Sequence, residues 1–157
     1  MTPEPIWIPE ETLLAIHEAL LEMFGGSSGI RDRGPLESAM FRPRQHFAYE
    51  APDLFVLAGS LAVGIVKNHP FIDGNKRTGF LAAYTFLEAI GLTFQATEEE
   101  VVERTLALAA GAIGEEEYTE WLRQSCVERA GAAESSVSGR FPAATETLPE
   151  FVERVDP

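Results

Sequence analysis

The sequence predicts an all-α domain, and three observations carry that expectation. Apolar residues recur at helical spacing in Leu13, Ile16, Leu20 and Phe24, and they fill the runs Leu54 to Val66 and Phe80 to Ile90. Helix start and stop signals bracket these runs, with Pro9 and Asp53 ahead of them and Gly25-Gly26 and Gly91 behind. Extended material is confined to Ile6-Trp7-Ile8 and Leu92 to Ala96.

Taken in order, Ile6-Trp7-Ile8 reads as a brief strand or an N-terminal clamp. Pro9 then opens a helix with Glu10 and Glu11 in its first turn, and Leu14 and Leu21 widen its apolar stripe. His17 lies on the edge of that stripe and reads as a packed or capping residue with no assigned chemistry. Gly25 to Gly34 is a glycine- and serine-rich loop carrying Arg31-Asp32-Arg33. Pro35 starts a short helix, Leu36 to Arg42, which Pro43 is expected to end. Asp53 caps the next helix, Leu54 to Asn68, which is apolar almost all round and should be the core helix. Pro70 ends it, because the residue before a proline avoids the α region.

A second buried helix opens near Asn75 or Lys76 and continues through Thr78 to Ala89. It offers Phe80, Leu81, Tyr84, Phe86 and Leu87 for packing. Thr97, with Glu100 three residues on, is a capping box for a helix reaching about Ala110. A last helix, Glu115 to about Ala130, carries Tyr118, Trp121, Leu122 and Cys126 on one face, and Cys126 reads as a small core residue. Residues 1–130 thus form the domain. Residues 131–157, rich in Ala, Ser, Pro and Glu, read as a disordered tail. Leu148, Phe151, Val152 and Val155 have helical spacing there, so a short docking helix over 148–155 stays open.

A length of 157 residues suits one domain, and 45% hydrophobic with 24% charged residues is ordinary for a soluble globular protein. The one cysteine, Cys126, excludes an internal disulfide framework and fits a reducing cytosol. Glu4, Glu10 and Glu11 stand where a signal peptide would be basic, and Leu54 to Val66 is too short to cross a bilayer. The expectation is a cytoplasmic protein with no membrane partner. A net charge of −13 argues against nucleic-acid binding, which needs a basic face. The charge is uneven, however. Residues 31–77 hold seven Lys/Arg against five Asp/Glu, a local +2, whereas the remainder holds five against twenty, or −15. Both lysines, Lys67 and Lys76, lie in that middle segment. We read it as a basic pocket in an acidic body.

At its centre stands His69-Pro70-Phe71-Ile72-Asp73-Gly74-Asn75-Lys76-Arg77-Thr78-Gly79-Phe80. Five different polar groups between two apolar runs are costly to desolvate and seldom sit there without a task. Asp73-Gly74-Asn75 is turn chemistry at a helix start, and a helix N-terminus behind a glycine suits an anion. Lys76 and Arg77 add two positive charges at that end, so phosphate is the natural ligand. Gly74 to Gly79 has P-loop glycine spacing, but no Lys-Ser/Thr follows Gly79. Alone, any one of these side chains would merely cap a helix; the ordered set reads as a site.

That stretch resembles the signature of the Fic/Doc family, His-Pro-Phe-x-Asp/Glu-Gly-Asn-Gly/Lys-Arg. Where the branches differ it is similar to the Doc (death-on-curing) type, with Lys76 in place of a second glycine and Phe80 in place of a second arginine. Gly74 is a Fic-like feature. Gly29-Ile30-Arg31-Asp32 and Leu36-Glu37-Ser38-Ala39 also resemble the family's segment ahead of the catalytic helix, which forms a flap beside the site. The resemblance runs from about Trp7 to about Arg123.

The resemblance implies a helical Fic fold and a toxin that uses ATP and Mg²⁺ to phosphorylate a protein hydroxyl, with elongation factor Tu as target. AMP transfer on the same fold and a non-catalytic binding module remain the alternatives. His69 would be the general base. Asp73 would hold Mg²⁺, and Gly74 would let backbone approach phosphate. Asn75, Lys76 and Arg77 would contact phosphate oxygens. No Ser/Thr-x-x-x-Glu inhibitory spacing occurs in the chain. Control is therefore expected from a Phd-like antitoxin whose disordered segment folds on binding.

Overall fold

Leu57 to Val66 are buried without interruption in the helix that the rest of the molecule surrounds. The computed structural model describes residues 3–50 and 52–128, so the tail over 131–157 and its short helix at 148–155 lie outside the described residues. In chain order the described elements are α1 (Glu10–Phe24), α2 (Arg33–Glu50), α3 (Leu54–Asn68), α4 (Asn75–Ala89), β1 (Leu92–Phe94), α5 (Glu98–Ala110), α6 (Glu115–Gln124) and β2 (Cys126–Glu128). The domain is helical, as expected, with one two-stranded sheet added. No helix among the described residues is long and apolar enough to cross a membrane.

Helix α3 starts where Asp53 accepts the Val56 N–H at 3.0 Å. Helices α2, α4 and α6 pack round it, and fully buried Leu57, Ile65, Phe80 and Leu81 join one core. Each such side chain contributes roughly 1.5–3 kcal/mol through burial. The approach of α2 depends on Gly64: a Cβ there would lie 3.0 Å from the Ala39 Cβ and 3.1 Å from its Cα. The Arg42 guanidinium ties three helices together, donating to the Ser60 carbonyl at 3.0 Å and to the Glu115 carboxylate at 2.7 Å.

The short helix expected over Leu36 to Arg42 is instead the 18-residue α2, which passes through Pro43. An interior proline lacks the N–H for the preceding turn and costs about 3 kcal/mol. Burial offsets that cost, since Pro43 lines a small apolar space with Trp7, Ile8, Met40, Leu57, Leu61 and Phe86. Arg33 begins the helix earlier than Pro35 would, pairing with Glu10 of α1 and with Glu37.

The last helix also departs from expectation. It stops at Gln124 rather than near Ala130, and the chain turns at Ser125 into β2. There Leu92, Thr93 and Phe94 pair antiparallel with Glu128, Val127 and Cys126. Cys126 therefore sits half-buried at the start of an otherwise exposed strand, not on the helix face with Trp121. Burial and the charge of Glu88 push its thiol up to about 11, so it is not activated. Ile6-Trp7-Ile8 forms no strand but acts as the clamp: Ile8 is buried, and the Trp7 ring stacks near Phe86 and meets Phe47 edge-on. Thr97 caps α5 through the Glu100 N–H at 3.2 Å, while the Glu100 carboxylate accepts the Trp121 indole N–H at 3.1 Å.

Candidate active site

The junction between α3 and α4 brings His69, Asp73, Gly74, Asn75, Lys76 and Arg77 together in one tight loop and the helical turn after it. Helix α3 ends in an αL residue, and that residue is His69 itself (φ 50°, ψ 55°), which among the described residues is the one non-glycine with positive φ. Such a backbone costs about 1–2 kcal/mol and persists where its surroundings over-determine it. The His69 side chain is exposed, whereas its neighbours Pro70 and Phe71 are buried.

The loop is locked from two sides. The Asn75 side chain closes it from within, accepting the Phe71 N–H and donating to the Phe71 carbonyl, both at 3.0 Å. From α1, His17 donates its Nε2–H to the Asp73 carbonyl at 2.8 Å, which fixes its tautomer. Its ring lies 3.8 Å from that of Phe71, nearly parallel. Gly74 caps α4 with φ 80°, a conformation that favours glycine, and no side chain caps the helix start. The positive end of the α4 dipole is thus at the loop.

Asp73 is exposed; its carboxylate accepts the Gly74 N–H at 3.0 Å and the Ser27 N–H at 3.3 Å. Lys76 is half-buried and Arg77 buried, the latter with its guanidinium 4.6 Å from the Phe24 ring centroid. Phe80 is wholly internal, among Tyr84, Phe94 and Trp121. No three His, Cys, Asp or Glu side chains converge on a metal position among the described residues. A single exposed carboxylate fits Mg²⁺, which takes its other ligands from water and nucleotide phosphates.

Segment 29–32 lies along the loop as a short antiparallel partner. Arg31 and Asp32 N–H groups both donate to the Pro70 carbonyl, at 2.7 and 3.2 Å, and the Ile72 N–H donates to the Gly29 carbonyl at 3.1 Å. The side chain of Arg31 reaches further, donating to the carbonyls of His69 (2.6 Å) and Asn68 (2.9 Å). His17 is the packed residue the sequence suggests, buried against Phe71, but its bond to the loop carbonyl is not anticipated there, nor is any task for Arg31. The available signals were a histidine embedded in an apolar stripe, which burial obliges to find a partner, and the local basic charge.

Residues 7–87 match the sequence model of the Fic/DOC family. Among curated proteins, "Protein kinase doc" of Escherichia phage P1 is 32% identical over 118 residues, covering 74% of this chain and 93% of the phage protein. "Toxin Doc" of Mycolicibacterium smegmatis is 40% identical over 75 residues, covering 46% of this chain and 58% of that protein.

Proposed function

The chain belongs to the Fic/DOC family, and from that premise we propose that it is the toxin of a toxin–antitoxin pair, transferring phosphate from ATP to a protein hydroxyl in the cytoplasm. The observation that carries the reading is an exposed His69 at the start of a locked loop, followed directly by Asp73, Lys76 and Arg77 at a helix start with no side-chain cap. The relatives named as a toxin and as a protein kinase support it. Elongation factor Tu is the target we assign by resemblance, with translation arrest as the consequence.

In this reading His69 takes the proton from the attacking hydroxyl as its oxygen bonds the γ-phosphorus and the bond to the β-phosphate oxygen breaks, releasing ADP. Lys76 and Arg77 neutralise the phosphates, and Gly74 lets the backbone approach them. Asn75 keeps the loop in shape through Phe71, with its remaining amide hydrogen for a phosphate oxygen. Asp73 would hold Mg²⁺, which supplies charge neutralisation on the nucleotide. Residues 1–130 form the catalytic domain, and a Phd-like antitoxin segment folds on it near the signature.

AMP transfer is the second reading, and Gly74 favours it as the Fic-like residue at the α4 cap. Two features weigh for phosphate transfer instead. Lys76 replaces the bare second glycine of the phosphate cradle, and the buried Phe80 offers no second arginine for the outer phosphates. Expression of the chain alone in a susceptible host should arrest growth, and His69→Ala should relieve the arrest, since losing a general base costs ~10²–10⁴ in rate. Harmless expression of the parent, or undiminished arrest by His69→Ala, contradicts the reading.

A further inference from the structure

We propose that Arg31 is a positioning residue that sets the direction of the His69 imidazole and links it to the segment over residues 29–32. Three consecutive carbonyls converge on it: Asn68 and His69 accept from its guanidinium at 2.9 and 2.6 Å, and Pro70 accepts its backbone N–H at 2.7 Å. The Asn68 and His69 carbonyls belong to the end of α3, where the last turn lacks intrahelical donors and a cation suits the dipole. One residue of the flanking segment thereby clamps the strained αL turn from which the imidazole departs. The α3 bond from the His69 N–H to Ile65 holds the near side of that turn, at 3.2 Å, and Arg31 holds the far side.

The contact is a fork rather than a point charge. Nε and a terminal nitrogen of Arg31 reach adjacent carbonyls together, and a lysine ammonium in the same place cannot hold both in that geometry. Segment 29–32 also pairs with the loop through Ile72 and Gly29. Arg31 touches no reacting atom in this arrangement; it acts through His69.

This inference rests on His69 being the general base, so its test has one arm that needs no turnover. In phosphate transfer, Arg31→Ala and Arg31→Lys should each lose ~10²-fold in kcat, the order expected for misplacing a catalytic group by about 1 Å. KM for ATP should change by less than ~3-fold, and added methylguanidinium should restore part of the Arg31→Ala rate. Full activity of Arg31→Lys would reduce Arg31 to a helix-end charge and overturn the proposal. A raised KM at unchanged kcat would also overturn it, making Arg31 a substrate-binding group. If the parent transfers no phosphate, the phosphotransfer reading fails by itself. The His69 ring ¹⁵N signals then decide: they should shift or broaden in folded Arg31→Ala, and unmoved signals refute the clamp.

Discussion

His69, Asp73 and Asn75 are close in sequence but face different surroundings, and those surroundings divide their tasks. The first two are exposed, while Asn75 is buried and spends both kinds of amide atom on Phe71. The polar set was legible because no core has use for such variety between two apolar runs. The αL turn at His69 and the bond from His17 were not legible, since each depends on a partner far along the chain. His17 yields a prediction of its own. His17→Phe keeps a ring against Phe71 but deletes the donor, leaving the Asp73 carbonyl unpaired at a cost of about 1–3 kcal/mol. Urea denaturation should record that loss, with His17→Gln recovering part of it because its amide can donate. Equal stability of His17→Phe and the parent would deny the bond any role in holding the loop.

At the scale of elements, α1, α3, α4 and α5 could be read because periodicity, caps and breakers agree within each. Helix α2 could not, because proline rules describe the isolated backbone and the burial of Pro43 against Trp7 and Leu57 is tertiary. The end of α6 was hidden for a related reason: β2 exists through its pairing with β1, which no local pattern reports. The α2–α3 contact is the one we expect to be least tolerant. Gly64→Val would drive side-chain atoms into the Ala39 backbone, whose Cα already stands 3.1 Å from an ideal Cβ. Removing a helical glycine gains up to about 1 kcal/mol, but overpacking costs about 1–3 kcal/mol. The net effect should be a lowered midpoint in thermal or urea unfolding, and an unchanged or raised midpoint would mean that α2 is not seated as described.

For the whole molecule, the charge distribution and the fold point the same way. Residues 31–77 carry +2 and the remainder of the sequence −15, and the signature Lys76 and Arg77 of that segment stand in the first turn of α4, next to the loop. That local positive charge is the feature on which the proposed use of an anionic nucleotide rests. In the proposed reaction the γ-phosphoryl group, and not AMP, passes from ATP to the target hydroxyl, with ADP leaving. Paired labelling separates the two transfers: the purified chain is incubated with target protein and with ATP labelled on either the α- or the γ-phosphate. Label should enter the target from γ alone and should be absent with His69→Ala. Label entering from α would contradict it and make the protein an AMP-transferase on the same fold.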